Sequence, residues 1–339
     1  MTSSPFFSIA IPTYNRAEKL NNAINKILKQ SFKDFEIVIS DNCSSDDTRK
    51  VVLDFKDKRI KYFKTREHTD VMPNVRKSIN LSKGKYVFLH GDDDYLLNDK
   101  VLEKLHKIIS RTKAGYIRVN YLSLSPDEKY VFDFRASKNF IKDKELKPQE
   151  KNIKIINFIL DSDPSFLSGI VFRNSFPKTV TIINSELYSW FPILFYCASK
   201  FGAYYVNAPS VIAGWSQWRV KADNFNSLYS LRAGKLTSEE YFSFIKKQLD
   251  PQDFNKLLRK HLLGIYVKRF AAIKLFTGND NMLKLSKRLK ELDPGLYRMP
   301  YYWISFIPAY IFPRFLLGII KKLYLFAYIR YFMRKTSQI

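Results

Sequence analysis

The sequence is poor in cysteine, glycine, proline and acidic residues, and each shortage excludes a class of protein. Two cysteines, Cys43 and Cys197, among 339 residues exclude a disulfide scaffold and a cysteine-based zinc site. Eleven glycines and 14 prolines are too few for a collagen-like or low-complexity chain. Because hydrophobic residues make up 46% of the chain, it is not intrinsically disordered either.

Acidic residues are outnumbered by basic ones, which gives the chain a net charge of +25. Such a charge attracts anions: nucleic acid, anionic lipid or phosphorylated small molecules. Residues 294–339 contain no Asp or Glu and carry seven basic residues among many aromatic ones. The N-terminal residues lack a basic segment followed by an apolar one, so we expect no secretory signal and a cytoplasmic protein.

The first hundred residues alternate between strand and helix patterns. Apolar, β-branched runs predict strands over 7–12, 35–40, 60–64 and 86–90, and helical spacing predicts helices over 15–30, 48–55, 74–82 and 97–110. Strands over 115–123, 168–172, 204–207 and 211–213, with a helix over 188–201, are expected to complete the domain. The alternation predicts an α/β fold with a mostly parallel sheet, in which ligands bind beyond the carboxyl ends of the strands.

Three adjacent carboxylates, Asp92, Asp93 and Asp94, follow the strand over 86–90. They repel one another unless a cation compensates. Mg²⁺ and Mn²⁺ take oxygen ligands and commonly use one or two carboxylates together with substrate phosphates. The alternative is an acidic turn that caps the next helix, and Asp41, at the end of its own strand, could likewise cap the helix that starts over 44–48. Neither a P-loop lysine nor a GxGxxG motif is present.

Three blocks of residues resemble the family 2 glycosyltransferases, which have the GT-A fold. The first block is IAIPTYNR at 9–16, and the second combines QSF at 30–32 with FEIVISDNCSSD at 35–46. The third combines Asn74, KGKY at 83–86 and DDD at 92–94. The blocks occur in the family's order and spacing over residues 6–98, and a weaker resemblance extends to about residue 215.

The resemblance implies a nucleotide-sugar donor, a divalent metal (Mn²⁺ or Mg²⁺) and inversion at the anomeric carbon. Thr13 and Tyr14 would line the nucleobase site, and Asp41 would hydrogen-bond the base. The full set implied for the donor is Pro12, Thr13, Tyr14, Asn15, Arg16, Asp41, Asn74, Asp92 and Asp93. Asp92 and Asp94 would bind the metal. The family's Asp-X-Asp motif matches either residues 92–94 or residues 90–92, with His90 in place of the first carboxylate, and Asp92 belongs to both frames.

A general base must also remove a proton from the acceptor hydroxyl. In this family the base is a carboxylate in the second half of the domain. Glu186, ahead of the apolar run 188–197, is the candidate, although Leu187 stands where the family has a second carboxylate. Asp161 and Asp163 are rivals, and a structural helix-start carboxylate is the alternative role for Glu186.

The chain is expected to divide into a GT-A catalytic domain at 1–215, a helical extension at 216–293 and a basic aromatic segment at 294–339. Residues 301–320 are long enough to span a membrane, but Pro308, Pro313 and Arg314 interrupt them. We therefore favour amphipathic helices lying in the interface of an anionic membrane over a span, a re-entrant hairpin or a soluble partner surface.

Together these features predict a metal-dependent inverting glycosyltransferase associated with the inner face of the cell membrane. It would move a sugar from a nucleotide sugar, with UDP favoured by family frequency, to a lipid-linked or saccharide acceptor in surface-polysaccharide synthesis. One alternative is a non-catalytic nucleotide-sugar- or glycan-binding domain. The other, a nucleic-acid-binding protein, is disfavoured because the tail is strongly apolar rather than a polar groove with stacking aromatics.

Overall fold

A computed structural model describes residues 4–124, 131–132, 140–177, 179–180, 182–183, 189–214, 231, 234–236 and 238–323. The chain divides into two compact units, Met1–Arg219 and Val220–Ile339. The first unit is α/β and the second is helical within the described residues. The separate role expected for residues 294–339 remains a prediction.

The first unit begins with the alternation that the sequence predicts. Its elements are β1 (Phe7–Thr13), α1 (Ala17–Leu28), β2 (Phe35–Asp41), α2 (Thr48–Asp54), β3 (Ile60–Lys64), α3 (Val71–Leu81), β4 (Tyr86–Leu89), β5 (Tyr95–Leu96), α4 (Val101–Thr112), β6 (Tyr116–Leu124), β7 (Val131–Phe132), β8 (Lys144–Leu146), α5 (Asn152–Asp161), β9 (Ile170–Arg173), α6 (Phe191–Phe201) and β10 (Ala203–Ala213). β2 and β4 are buried along their whole length, as expected for strands covered on both faces, and in β2 the buried residues include Glu36 and Asp41.

The strands form one mixed sheet in the order β3-β2-β1-β4-β9-β6-β10-β5, with β7 paired to β6 and β8 to β10. β1 pairs in parallel with β2 on one side and with β4 on the other. The chain therefore moves outward from β1 to β3 and returns to the opposite side of β1, which makes a topological switch point between β1 and β4. The α/β class and the mostly parallel sheet are confirmed.

β9 is antiparallel to both of its neighbours, β4 and β6. Its first residue therefore lies at the edge where β4 ends. As a result, Ser168 and Gly169, just before β9, reach the carboxyl edge of the sheet from a distant part of the chain. This arrangement brings a second segment of backbone to the switch point.

The two strands predicted at 204–207 and 211–213 are one strand, β10, with register shifts on both sides of Pro209. Pro209 lies opposite Asn120 of β6, but a proline has no amide proton for the ladder, and regular pairing continues from Val211. The charged stretch 140–154 contains β8 and the start of α5. The short strands β5 and β8 have no sequence signal strong enough to predict them.

The second unit consists of helices in its described part. They are α7 (Glu239–Lys246), α8 (Pro251–Ile265), α9 (Phe270–Thr277), α10 (Asn279–Leu292), α11 (Pro300–Ile311) and α12 (Arg314–Leu323), with short 3₁₀ turns at Val267–Arg269 and Pro294–Arg298. The Asp250 side chain accepts hydrogen bonds from the amides of Gln252 and Asp253. Asp250 thus caps α8, and Pro251 occupies a first-turn position that needs no amide donor.

The last two described helices, α11 and α12, meet at a bend of 114°. In the described part of the chain, no helix by itself combines the length and the apolar character needed to cross a membrane. Among the helices of the described residues, α11 and α12 taken together are the only pair that reaches that length and composition.

Candidate functional site

Polar side chains from two strand ends meet at the switch point between β1 and β4. Thr13 is the last residue of β1, and its Oγ1 donates a hydrogen bond to Asp92 Oδ2 at 2.7 Å. Asp41 ends β2 and lies opposite Thr13 in the β1–β2 register. The structure therefore brings the first two predicted blocks to the edge where the residues after β4 turn away from the sheet.

Arg16 connects the first block to the carboxylates. Its Nη1 lies 2.5 Å from Asp93 Oδ2 and 3.3 Å from Asp92 Oδ1. Although burial works to lower it, the neighbouring Asp92 and Asp93 raise the pKa of Arg16 above its usual value. The guanidinium partly offsets the repulsion among the three adjacent carboxylates.

Asp92 and Asp94 are buried, and burial raises the free energy of their ionised forms. Burial raises the pKa of Asp92 to about 6, against the opposing effect of Arg16. Burial and the neighbouring Asp93 also raise the pKa of Asp94. A bound cation would stabilise the ionised forms of both groups.

We call residues 91–94 the acidic loop; it is held in place by the backbone amide of Gly214 and the hydroxyl of Ser168. Gly214 N donates to Asp94 Oδ1 at 2.8 Å, and Ser168 Oγ donates to Asp94 Oδ2. The Ser168 hydroxyl also accepts a hydrogen bond of 2.6 Å from Gly91 N. Both oxygens of Asp94, a predicted metal ligand, therefore already accept hydrogen bonds from the protein.

The proposed nucleobase side contains an exposed ring beside a buried carboxylate. The Tyr14 side chain is 43% exposed, and its ring centroid lies 4.3 Å from that of His68. Asp41 is fully buried and accepts hydrogen bonds from the Tyr62 hydroxyl and from Ser44 N. A carboxylate can accept about four hydrogen bonds, so a base could share Asp41 with these donors.

Three other predicted donor-site residues hold the backbone of this edge. Asn74 donates to the carbonyl of Ser40 at 2.9 Å and accepts from its hydroxyl at 2.7 Å, which fixes α3 against β2. Asn15 has a left-handed φ of 51°, and its side chain accepts from Ser45 N at 2.8 Å. Pro12 lies within β1, opposite Ser40.

The residues present fit a metal that is shared with a substrate diphosphate. Among the described residues, no three His, Cys, Asp or Glu side chains form a metal-binding group. Mg²⁺ sites of the substrate-bridging kind need only one or two carboxylates. Asp92 supplies one carboxylate in a cluster with Asp93 and Asp94, and Arg16 is their only ion-pair partner within the described part of the chain.

The predicted general base, Glu186, lies outside the described residues, together with 184–188. Its rival Asp161 is the last residue of α5. The other rival, Asp163, has a left-handed φ of 52° and accepts a long hydrogen bond of 3.4 Å from the Tyr121 hydroxyl.

Sequence reasoning missed Ser168 and Gly214 as residues that hold the acidic loop, and Tyr62 and His68 on the nucleobase side. The bonds of Ser168 and Gly214 to Asp94 span 74 and 120 residues of sequence. No motif marks such contacts. The only local signal was the Ser-Gly pair that begins the strand predicted over 168–172.

Comparison with known proteins identifies the first half of the chain. Residues 8–161 match glycosyl transferase family 2. A *Campylobacter jejuni* protein named GalNAc(5)-diNAcBac-PP-undecaprenol beta-1,3-glucosyltransferase is 35% identical over 150 residues, which are 43% of this chain and 47% of the relative. The *Escherichia coli* protein WfgD, named as a UDP-Glc:alpha-D-GlcNAc-diphosphoundecaprenol beta-1,3-glucosyltransferase, is 31% identical over 34% of this chain and 45% of its own length. The chain thus spans just under half the length of these curated relatives.

A solved structure resembles a larger part of the chain. *S. aureus* TarS 1–349 in complex with UDP-GlcNAc has a TM-score of 0.60 over 90% of this chain and 89% of the TarS chain, at 16% identity. This likeness supports a shared fold and confirms the expected GT-A-like architecture. The match to glycosyl transferase family 2 thus covers residues 8–161, just under half of this chain.

Proposed function

We propose that this protein is an inverting glycosyltransferase that moves a sugar from a nucleotide sugar to a lipid-linked saccharide in surface-polysaccharide synthesis. One observation carries the proposal. Thr13 and Arg16 both contact Asp92 at the switch point of the sheet, inside the segment that matches family 2. Open α/β sheets bind ligands at this position.

The donor we propose is a UDP-sugar. The name of the E. coli relative WfgD contains UDP-Glc, and TarS was crystallised with UDP-GlcNAc. The exposed ring of Tyr14 offers a face for base stacking, with His68 behind it. Asp41 lies at the end of the neighbouring strand as the proposed hydrogen-bond acceptor for the base.

Departure of the nucleoside diphosphate develops negative charge at this edge. Mn²⁺ or Mg²⁺ held by Asp92, with Asp94 as the second proposed ligand, would supply Lewis-acid stabilisation of that charge. Thr13 orients Asp92 through its 2.7 Å hydrogen bond, and Arg16 keeps Asp92 and Asp93 together. Glu186 remains the proposed base that takes the proton from the acceptor hydroxyl.

The acceptor we propose is a saccharide on a lipid diphosphate. The names of both curated relatives contain a diphosphate-linked undecaprenol. An enzyme with such a substrate gains from binding at the membrane surface, where the acceptor is concentrated. We therefore propose the cytoplasmic face of the cell membrane as the location of the reaction.

We propose α11 and α12 as the membrane-binding surface. Each helix has an exposed apolar stripe: Ile304, Ile307 and Ile311 on α11, and Phe315, Ile319 and Leu323 on α12. Their spacings of three and four residues place each set on one helix face. Arg314, Lys321 and Lys322 accompany the stripes, and no acidic residue follows Asp293. Apolar insertion with basic flanks is typical of anionic-lipid binding.

Vesicle sedimentation tests the surface on the full chain. We expect binding to phosphatidylglycerol-containing vesicles, weaker binding to phosphatidylcholine alone, and a large loss in the double variant Ile304→Glu with Phe315→Glu. Ile141→Glu is the matched control, because Ile141 is 73% exposed and lies in the other unit. Equal binding by the double variant and the control would contradict the proposal.

Calorimetric titration of the full chain with UDP, GDP, dTDP and CDP, with Mn²⁺ or with EDTA, tests the donor site. We expect metal-dependent binding of UDP that is lost in Asp92→Ala and weakened in Asp41→Ala.

Sugar transfer should then disappear in Glu186→Gln but persist in Asp163→Asn. Binding without any hydrolysis or transfer would favour the non-catalytic alternative, and a folded protein that binds no nucleotide would overturn the proposal.

A further inference from the structure

A fully buried arginine lies behind the acidic loop. Arg118, on β6, donates from Nη1 to the carbonyl oxygen of Ser168 at 2.6 Å and from Nε to that of Ser162 at 3.3 Å. Its guanidinium carbon lies 5.7 Å from the ring centroids of both Tyr121 and Phe166. In the described part of the chain, Arg118 pairs with no carboxylate and its Nη2 has no hydrogen-bond partner.

Burying a charge without a counter-ion is costly. The neighbours of Arg118 are two backbone carbonyls and two aromatic rings, which compensate the charge only in part. The strongest of its contacts, the 2.6 Å bond, holds the backbone of Ser168. The buried guanidinium of Arg118 therefore fixes the position of the Ser168 backbone.

Ser168 is the residue that fixes the acidic loop. Its hydroxyl accepts from Gly91 N at 2.6 Å and donates to Asp94 Oδ2, so one oxygen atom bridges the two ends of the loop. Gly169, with a left-handed φ of 85°, permits this approach, because a Cβ there would lie 2.6 Å from Val119 Cγ2. Asp92 lies between the two fixed ends and reaches Thr13 as a result.

We propose that Arg118 and Ser168 are positioning residues for the donor site. Arg118 fixes the Ser168 backbone, the Ser168 hydroxyl fixes both ends of the acidic loop, and the loop holds Asp92 toward the nucleotide-sugar diphosphate and its metal. This inference rests on the proposed function. It differs from a role in stability alone because it predicts a defect confined to the binding of the donor and the metal.

The test measures UDP affinity by calorimetry, with Mn²⁺ and with EDTA, in the full chain. Ser168→Ala should weaken Mn²⁺-dependent UDP binding by about 10- to 100-fold, as removal of groups that orient metal ligands typically does. Ser168→Thr keeps the hydroxyl and should restore most of the affinity. Arg118→Lys should fall between the wild type and Ser168→Ala.

Arg111→Lys is the matched control. Arg111 also donates to a neighbour, the Tyr204 hydroxyl at 3.2 Å, and lies 5.8 Å from that ring, but the acidic loop is not among its partners. Its UDP affinity should equal that of the wild type. In transfer assays, Ser168→Ala should raise the donor KM and the Mn²⁺ requirement while leaving the acceptor KM unchanged.

The outcomes separate the two proposals. A wild-type chain that binds no UDP would overturn the proposed function itself. A wild type that binds UDP, with a folded Ser168→Ala variant of equal affinity, would overturn the positioning role alone. If Ser168→Ala does not fold, the comparison of Arg118→Lys with Arg111→Lys decides, and equal donor KM values in those two variants would contradict the inference.

Discussion

At the scale of single residues, the candidate site is a cluster of carboxylates whose mutual repulsion is partly offset by the Arg16 guanidinium. Arg16 contacts both Asp92 and Asp93 across 76 and 77 residues of sequence. Its side chain is about one-third exposed, so solvent screens part of this attraction. A divalent metal and Arg16 would therefore act on the same carboxylates.

Arg16→Gln should make stability depend on the metal. Loss of the guanidinium leaves the carboxylates uncompensated, at a cost of about 1–2 kcal/mol after solvent screening. Added Mn²⁺ should raise the melting temperature of the variant more than that of the wild type. Arg59→Gln, which breaks the surface pair with Asp57, is the control, and Mn²⁺ should raise its melting temperature only as much as that of the wild type. An equal Mn²⁺ effect in all three proteins would contradict the expectation.

Two glycines should respond to alanine in opposite directions. A Cβ on Gly214 would lie 1.9 Å from the Asp93 carbonyl oxygen, so Gly214→Ala must displace the acidic loop and should cost about 1–3 kcal/mol. Gly264 lies in α8 with open space around it, and Gly264→Ala should stabilise the protein by about 0.5–1 kcal/mol. Chemical denaturation measures both. A Gly214→Ala variant as stable as the wild type would show that the loop is not held there.

At the scale of elements, α7 and α8 pack around a buried imidazole. His261 lies beside the rings of Tyr241 and Phe242, at centroid distances of 5.7 and 4.9 Å. Burial, with a smaller contribution from Arg269, lowers the pKa of His261 to about 3. The folded protein therefore keeps this ring neutral at a pH where the unfolded chain protonates it.

This buried ring predicts an acid-sensitive second unit. Below the unfolded pKa of about 6.5 the unfolded state binds a proton that the folded state does not, so stability falls as the pH drops from about 6.5 toward 3. At about pH 5.5 the loss from this group is about 1.4 kcal/mol. His261→Phe should remove that part of the slope, which denaturation of both proteins at about pH 7.5 and 5.5 measures. Parallel slopes would contradict the assignment.

The elements also show how much of the fold could be read from the sequence. β1, β2 and β4 were predicted because strands buried on both faces are apolar throughout. The half of the site that follows those strands was predicted with them, since carboxyl ends of parallel strands share one edge. Ser168 and Gly214 were not, because the insertion of β9 between β4 and β6 depends on strand order in space, which local patterns do not encode.

At the scale of the whole molecule, the net charge of +25 and the apolar stripes of α11 and α12 make different contributions to binding. The charge acts at a distance and is screened by salt, with a Debye length of about 10 Å at 0.1 M and about 3 Å at 1 M. Insertion of apolar side chains does not weaken with salt in this way. Salt therefore separates a membrane-inserted protein from one held by charge alone.

Binding to phosphatidylglycerol vesicles should fall with added NaCl and then level off at a residual fraction, because insertion of the stripes persists when the charges are screened. Binding to RNA should continue to fall steeply, since it depends on release of counter-ions from phosphates. Sedimentation with vesicles and filter retention of RNA over the same NaCl series measure the two curves. Ile304→Glu with Phe315→Glu should abolish the residual fraction and leave the RNA curve unchanged. If vesicle and RNA binding disappear together, charge alone holds this chain to lipid, and the stripes of α11 and α12 have another partner.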